Sequence, residues 1–179
     1  MLPRTAYLGL GSNVGDRRAH LKAALAEIER FALIRSLSSF YSSDPVGYIR
    51  QRRFWNAVAG ILWEDSPKAL LRAVKEVERR GGRRATFASG PREIDVDILD
   101  LGGLVRSVRD PVLPHPRLAE RRFALAPLAE IAPEWRHPVS GLTARQMLAK
   151  LPGRPGVRRI PGKARGPGRN GADPPSRSG

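Results

Sequence analysis

Apolar and charged side chains alternate through most of residues 93–101, and this period of two predicts a half-buried β-strand. Asp95 and Asp97 share one parity, and apolar residues occupy the other. Because side chains two apart on a strand point to the same face, the two carboxylates are predicted to stand side by side. Adjacent carboxylates repel unless a cation compensates them, and Mg²⁺ usually takes one or two protein carboxylates together with substrate phosphates. The pattern indicates either a magnesium site or the solvated face of an ordinary amphipathic strand.

The residues before this strand favour the magnesium site. A Gly90-Pro91 turn and Arg92 stand at its entrance, and an arginine-rich stretch precedes the turn. Guanidinium groups pair readily with phosphate oxygens. A phosphorylated small molecule is therefore the predicted ligand.

The composition restricts the class of protein. With 179 residues, 41% of them hydrophobic, the chain is predicted to form about one domain with a substantial core. No apolar run approaches about 20 residues, so no membrane span is predicted. The N-terminus lacks the apolar stretch of a signal peptide, and there is no cysteine for disulfides, thiolate catalysis or zinc. We therefore expect a cytoplasmic protein.

The net charge of +15 indicates an anionic partner, but the charge is distributed unevenly. Residues 152–179 carry seven Lys/Arg and one Asp, with six Pro, seven Gly and no aromatic residue. Such a segment cannot bury enough apolar surface to offset its chain entropy, so we predict a disordered basic tail after a folded domain over residues 1–151. A solubilising role for the tail is favoured over weak binding to nucleic acid or a membrane surface.

Strand and helix signals alternate along the folded part. Strands are predicted over residues 5–10, 33–41, 54–63 and 93–101, with a further strand-like stretch over 104–108. Helices are predicted over residues 16–30, 66–80 and 118–129, and from Thr143, which makes a capping box with Gln146. The order β-α-β-β-α-β predicts an α+β fold, a ferredoxin-like sandwich with additional C-terminal helices.

The common nucleotide-binding motifs are missing from the sequence. Gly9, Gly11 and Gly15 follow a strand and precede a helix, but without the spacing of the dinucleotide fingerprint, so a tight-turn role is predicted for them. No Gly-Lys-Ser/Thr occurs, which excludes a P-loop. The three histidines lack metal-ligand spacing, but His115 lies between two prolines, where a rigid loop can present its ring to a ligand.

Seven short motifs nevertheless occur in the order and approximate spacing of one enzyme family. They are Leu10-Gly11-Ser12-Asn13-Val14-Gly15-Asp16, Ser39-Phe40-Tyr41, Pro45-Val46-Gly47, Phe54-x-Asn56-Ala57, Gly90-Pro91-Arg92 with Asp95-x-Asp97-Ile98-Leu99, Pro114-His115-Pro116, and Arg121-Arg122-Phe123-x-Leu125-x-Pro127-Leu128. Over residues 5–150 the chain thereby resembles the 6-hydroxymethyl-7,8-dihydropterin pyrophosphokinases of folate biosynthesis. The resemblance implies transfer of pyrophosphate from ATP to the hydroxymethyl group of the pterin, with release of AMP.

The resemblance also implies site residues and partners. Two Mg²⁺ ions would bind Asp95 and Asp97 together with ATP. The implied catalytic residues are Arg83, Arg92, Asp95 and Asp97. The implied ATP-binding residues are Glu78, Arg84, Arg92, Ile98, His115 and Arg121. The implied pterin-binding residues are Ser43, Asp44, Val46, Phe54, Asn56 and Phe123. A monomer that binds ATP and the pterin, but neither a membrane nor a specific nucleic acid, is expected.

The sequence departs from the family at several positions. Ala88-Ser89 stand where the family has Arg-Trp, so one loop cation and one loop aromatic are missing. The interval from Arg83 to Gly90 is about one residue short, which shifts the register of Arg83 and Arg84 by up to one position. Asp110 and Val112 replace an arginine and a threonine.

Two other functions stay open on the residues alone. A Mg²⁺-dependent phosphoryl or nucleotidyl transferase acting on another small hydroxyl would keep Asp95, Asp97 and the arginines without needing Asn56. An RNA-binding ferredoxin-like module would need exposed aromatic residues on its strands, and only 6% of this chain is aromatic.

Overall fold

The computed structural model describes residues 2–83, 90–153 and 156–161. In these residues, the strands are β1 (Arg4–Ser12), β2 (Leu33–Leu37), β3 (Tyr41–Ser43), β4 (Phe54–Trp63), β5 (Asp95–Leu101) and β6 (Val157–Arg159). The helices are α1 (Arg17–Glu29), α2 (Pro67–Arg80), α3 (Arg122–Ile131) and α4 (Ala144–Lys150), with a 3₁₀ turn at Leu118–Glu120. The protein is a mixed α/β molecule built on an antiparallel sheet.

The strand order across the sheet is β5-β1-β4-β3-β6, and β2 also pairs with β4. Every pairing is antiparallel. The prediction of one continuous strand over 33–41 is wrong, because β2 and β3 are separate strands on the same side of β4. Between them the Ser38 backbone N–H still donates to the Val58 carbonyl at 2.9 Å, but the Val58 N–H donates to the buried Ser38 hydroxyl at 2.9 Å, so a side chain takes one place in the ladder.

Capping residues begin the helices where the sequence predicts. The Asp16 carboxylate accepts a hydrogen bond from the Ala19 N–H at 3.0 Å, and Ser66 caps α2 in the same way. Thr143 and Gln146 form the predicted capping box. These caps satisfy N–H groups that have no partner inside a helix.

Two hydrophobic clusters lie on opposite faces of the sheet, because alternate residues of its strands belong to different clusters. One cluster contains Val96 and Ile98 and is covered by α1 and α2. The other contains Leu99 and is covered by α3 and α4. Asp95 and Asp97 share the parity of Leu99, so they lie on the face of α3. On this face of β5, Leu99 is buried under α3 and α4, whereas Asp95 and Asp97 remain partly exposed.

A β-bulge changes the parity of β5 near its end. Leu8 pairs with Ile98 and Tyr7 pairs with Asp100, so Leu99 is the extra residue. Asp100 is consequently turned to the α3 side, where its Oδ2 accepts a hydrogen bond from the Trp135 indole N–H at 3.2 Å. The bulge thus buries a carboxylate that strict alternation would place elsewhere.

Two other predictions about the elements need correction. Residues 104–108 form no strand, and Arg106 only makes an isolated bridge with Leu113. The helix predicted over 118–129 is divided, because Arg121 has φ −100° and ψ 86°, outside the helical region.

The prediction of disorder from residue 152 onward is also wrong for residues 156–161, which include β6. This strand pairs with the edge of β3, which satisfies backbone groups that would otherwise be left open. Residues 162–179 lie outside the described residues. Among the helices of the described part, none is long and apolar enough to cross a membrane.

Candidate active site

A cleft opens on the α3 face of the sheet, between the β3–β4 side and β5. It is lined by Ser43, Asp44, Val46, Phe54, Asn56, Arg92, Asp95, Asp97, Arg117, Glu120, Arg121 and Phe123. The six residues predicted to bind the pterin therefore line the same cleft as the two predicted metal ligands. One end of the cleft is rich in charge, and the other combines aromatic rings with an amide.

Arginines compensate both aspartates at the charged end. Asp95 accepts hydrogen bonds from the Nη1 groups of Arg83 and Arg92, one on each carboxylate oxygen and both at 2.8 Å. Asp97 Oδ2 accepts one from Arg121 Nη1 at 2.5 Å. The unrelieved repulsion expected between the carboxylates is therefore absent from this arrangement. Arg92 and Arg121 also line the cleft, so their guanidinium groups stand within reach of an anion that enters it, whereas Arg83 contacts Asp95 from outside the lining.

Glu78 supports the charged end of the cleft through its contacts with β5 and with Arg83. Its side chain, on α2, is only 4% exposed and accepts hydrogen bonds from the Val96 backbone N–H at 2.8 Å and from Lys75 Nζ at 2.9 Å. It also forms a salt bridge with Arg83. Glu78 was predicted to bind ATP, but it does not line the cleft and instead holds β5 and Arg83 in place.

Asn13 fixes the Gly90-Pro91-Arg92 turn, a role that the sequence motif did not identify. Its Oδ1 accepts a hydrogen bond from the Arg92 backbone N–H at 2.8 Å. Its Nδ2 donates to Gln51 Oε1 at 2.8 Å and to the Arg52 carbonyl at 3.2 Å. One buried amide thereby joins the turn before β5 to the loop before β4. The position of Asn13 in the first of the seven motifs was the available signal.

The ring of His115 is oriented by the backbone that follows it. Nδ1 accepts a hydrogen bond from the Arg117 N–H at 3.1 Å, so the proton of the neutral ring is on Nε2. Nε2 lies 3.9 Å from Asp97 Oδ2. Burial, followed by the nearby Arg121 charge, lowers the pKa of His115 below its usual 6.5. At neutral pH the ring is therefore uncharged and directs an N–H toward the charged end of the cleft.

The break before α3 determines the place of Arg121 and Phe123. Arg121 is the last residue before the helix, and Phe123 lies in its first turn. The Arg121 guanidinium carbon lies 5.6 Å from the centre of the Phe123 ring, a cation–π distance. Arg121 thus contacts both the charged end and the aromatic end of the cleft.

Asn56 is the polar residue at the aromatic end. It is 4% exposed, and its Nδ2 donates to the Ser43 hydroxyl at 2.8 Å. A Cβ at Gly11, the residue beside it on β1, would lie 3.3 Å from Asn56 Oδ1. Gly9 and Gly11 are strand residues opposite Asp97 and Asp95, so the tight-turn role predicted for them is wrong. The glycine at position 11 leaves room for the amide.

Besides Glu78, two further predicted ATP-binding residues are not placed with the others. Ile98 is buried in the cluster on the opposite face of the sheet, and Arg84 lies outside the described residues. Conversely, Arg117 and Glu120 line the cleft and form a salt bridge at 3.1 Å, although neither was predicted to do so. An Arg–Glu pair three residues apart, directly after Pro114-His115-Pro116, was the signal in the sequence.

The sequence profile of the 7,8-dihydro-6-hydroxymethylpterin-pyrophosphokinases (HPPK) matches residues 7–133. The chain belongs to the HPPK family. It is 42% identical over 135 residues to the 2-amino-4-hydroxy-6-hydroxymethyldihydropteridine pyrophosphokinase of Aquifex aeolicus, a match that covers 75% of this chain and 84% of that protein. The HPPK resemblance inferred from the seven motifs is thereby confirmed.

Two further matches are longer proteins, of which this chain covers less than half. The folic acid synthesis protein of Dictyostelium discoideum is 37% identical over 155 residues, and the match covers 87% of this chain but 24% of that protein. The HPPK-DHPS crystal structure of Plasmodium falciparum superposes with a TM-score of 0.66 at 16% identity, covering 83% of this chain and 45% of that one. The structural likeness concerns the fold, whereas the sequence matches carry the HPPK assignment.

Proposed function

We propose that this protein transfers the pyrophosphoryl group of ATP to the hydroxymethyl group of 6-hydroxymethyl-7,8-dihydropterin. The observation that carries the proposal is one cleft with two chemically different ends. Asp95, Asp97 and their arginines form one end, and Phe54, Asn56 and Phe123 line the other. A triphosphate suits the first end and a flat polar heterocycle suits the second. Membership of the HPPK family supports the same pairing of substrates.

The reaction is a displacement at phosphorus. The pterin hydroxyl oxygen forms a bond to the β-phosphorus of ATP, the bond from that phosphorus to the α,β-bridging oxygen breaks, and AMP leaves while the hydroxyl proton is released. Negative charge builds on the phosphoryl and bridging oxygens, so positioning and charge neutralisation carry most of the catalysis. Arg83, Arg92 and Arg121 supply fixed positive charge, and the neutral His115 offers an N–H donor.

The carboxylates fit Mg²⁺ as the cofactor. In the described part of the chain, no group of three or more His, Cys, Asp or Glu side chains is arranged to hold a metal. Two carboxylates on one strand face, completed by substrate phosphates, are the donor set that Mg²⁺ usually takes. A bound Mg²⁺ would neutralise phosphate charge and lower the pKa of the attacking hydroxyl. We propose that Asp95 and Asp97 hold two such ions when ATP is present.

Binding of Mg²⁺ and ATP requires an exchange of partners at the charged end. Arg83, Arg92 and Arg121 pair with the carboxylates that would become metal ligands. The phosphates of ATP can take over these guanidinium groups while the cation takes the carboxylates. Each of these partly buried charges then keeps a partner of opposite sign, which limits the desolvation penalty of opening the ion pairs.

We infer that the architecture is a ferredoxin-like sandwich whose second strand is divided. With β2 and β3 counted as one strand, the sheet order β5-β1-β4-β2/β3 becomes 4-1-3-2 in chain order, with β1 antiparallel to both neighbours. Helices α1 and α2 connect the strands as the order β-α-β-β-α-β requires. Strand β6 and helices α3 and α4 extend this unit.

The nucleotide product distinguishes the proposed function from the alternatives. Purified protein is incubated with ATP, Mg²⁺ and 6-hydroxymethyl-7,8-dihydropterin, and the nucleotides are separated by chromatography. The proposal expects pterin-dependent AMP and a diphosphorylated pterin. Formation of ADP would indicate single phosphoryl transfer, and release of free pyrophosphate would indicate nucleotidyl transfer. Either result would overturn the proposal.

A further inference from the structure

We propose that Arg53 and the C-terminal strand β6 together position the wall of the pterin end of the cleft. This inference rests on the proposed function, because it assigns the positioned wall to pterin binding. The wall is the segment Ser42–Val46, of which Ser43, Asp44 and Val46 line the cleft. Neither Arg53 nor β6 lines the cleft, so both would act through the wall and not on the substrate itself.

Arg53 holds the wall from outside the cleft. Its Nε donates a hydrogen bond to the Ser42 hydroxyl at 2.9 Å, and its Nη1 forms a salt bridge with the Asp44 carboxylate. Its Nη2 donates to the Gly156 carbonyl at 3.5 Å. A planar guanidinium with donors in a fixed fork holds such partners in a defined mutual geometry. One side chain thereby connects the wall, the start of β4 and the C-terminal segment.

Gly156 and Asp44 are joined by reciprocal hydrogen bonds. The Gly156 N–H donates to Asp44 Oδ2 at 2.7 Å, and the Asp44 N–H donates to the Gly156 carbonyl at 3.0 Å. A Cβ at position 156 would lie 2.9 Å from Asp44 Oδ2, so the contact depends on glycine. With Arg53 on the other oxygen, both oxygens of the Asp44 carboxylate have partners outside the cleft lining. Asp44 is therefore assigned as a positioning residue whose carboxylate supports the wall.

The pairing of β6 with β3 continues the support to Asn56. Val157 lies opposite Ser43, and the Ile160 N–H donates to the Phe40 carbonyl at 2.8 Å. Ser43 in turn accepts the hydrogen bond of Asn56. A displacement of β6 would thus reach the amide at the aromatic end through two consecutive contacts. Small errors in the placement of a substrate-binding group reduce binding and rate sharply.

Because the Arg53–Asp44 ion pair is exposed, its positioning role can be measured separately from its contribution to stability. The side chains of Arg53 and Asp44 are 42% and 41% exposed, and exposed ion pairs contribute little to the free energy of unfolding. Loss of Arg53 should therefore leave the melting temperature nearly unchanged while it changes the use of the pterin. A residue with a general structural role would change the melting temperature and the use of both substrates together.

The test compares Arg53→Ala, Gly156→Ala and the variant that carries both changes with the wild type. Arg50→Ala is the matched control, because Arg50 is an exposed arginine of the same loop. Amide hydrogen exchange without substrates is measured first, and exchange over residues 42–46 is expected to be about tenfold faster in the three variants. Steady-state AMP formation follows, with the pterin and ATP varied separately. The KM for the pterin is expected to rise about tenfold, while the KM for ATP stays within about twofold.

Each result has a defined reading. If exchange and pterin KM in Arg53→Ala and Gly156→Ala equal those of Arg50→Ala, the positioning role is wrong. Equal rises of both KM values, with a lower melting temperature, would also overturn it. Lys at position 53 keeps the charge but not the fork, so Arg53→Lys should recover only part of the pterin KM. If the wild type forms no AMP, the proposed function fails, whereas the hydrogen exchange still decides whether Arg53 and β6 hold the wall.

Discussion

At the scale of single residues, the aspartate pair was predictable but its environment was not. The period-two pattern predicts that Asp95 and Asp97 share a face, because strand geometry is local. Arg83, just after α2, contacts Asp95 from 12 residues away in the chain. Arg121, at the break before α3, contacts Asp97 from 24 residues away. No local pattern specifies which arginine meets which carboxylate, since tertiary packing decides it.

Replacement of Asp95 or Asp97 by Ala should reduce AMP formation by orders of magnitude, because each change removes a carboxylate of the proposed Mg²⁺ site. The arginine contacts also set the sign of the stability change. Asp95→Ala leaves Arg83 and Arg92 without this partner, so we expect the protein without substrate to lose about 1 kcal/mol of stability. Repulsion between the carboxylates alone would give the opposite sign, a slight gain of stability. Thermal melts and AMP assays of both variants provide the check, and near-normal turnover in both would refute the metal assignment.

Asn56→Ala should weaken binding of the pterin and leave binding of ATP nearly unchanged. The Asn56 amide is buried beside Ser43. Without it, the polar edge of the bound pterin would lack a hydrogen-bond partner, which costs about 1–3 kcal/mol, or about tenfold to more than a hundredfold in affinity. Calorimetric titration of each ligand measures this directly. Ser43→Ala removes the acceptor of the Asn56 hydrogen bond and one hydroxyl of the cleft lining but keeps the Asn56 amide, so it should have a smaller effect. Equal losses for the two ligands would make Asn56 a structural amide.

At the scale of the elements, those with strong local signals were predictable. Strand β4 and helices α1, α2 and α4 agree with the sequence to within a few residues, because periodicity and capping residues are encoded locally. The divided second strand and β6 were not predictable. Strand β6 has three residues, two of them arginines, and its pairing with β3 crosses more than 100 residues of chain. Strand β6 is stabilised by the backbone hydrogen bonds that it makes with β3.

The bulge in β5 has a pH-dependent consequence. Burial raises the pKa of the Asp100 carboxyl above 3.8, more than the Gly103 N–H and Trp135 N–H donors lower it. Between 3.8 and that raised value the folded state binds more protons than the unfolded state, so this group's contribution to stability falls as the pH rises. The asparagine side chain in Asp100→Asn has no carboxyl group to titrate. We therefore expect the stability of the wild type relative to Asp100→Asn to decrease from acidic toward neutral pH.

Denaturant unfolding of both proteins across this pH range measures the difference. Glu64→Gln, which makes the same carboxylate-to-amide change at an exposed position, is the matched control variant. The comparison depends on the slope and not on the offset, because the asparagine amide also changes the hydrogen bonds at the site. A constant difference between wild type and Asp100→Asn would mean that Asp100 titrates alike in the folded and unfolded states.

At the scale of the whole molecule, the net charge of +15 acts selectively on the two proposed substrates. ATP is a polyanion and the pterin is neutral, so only ATP is attracted by the summed field and by the arginines of the cleft. Between about 0.01 M and 1 M salt the Debye length falls from about 30 Å to about 3 Å. We expect the KM for ATP to rise severalfold over this range and the KM for the pterin to change little. Steady-state AMP formation at each salt concentration decides it, and parallel changes would exclude electrostatic attraction of ATP.

The strand order also has a consequence for synthesis of the chain. β4 is the hub that pairs with β1, β2 and β3, whereas β5 pairs with β1 across about 90 residues. On the ribosome, β1 therefore has an open edge until residue 101 has emerged, and open edges favour pairing with other chains. The aspartates and Phe123 arrive after the pterin wall has been made, and β6 closes the sheet last. The two halves of the cleft thus meet late, which makes nascent chains stalled before residue 101 the species most exposed to misassembly.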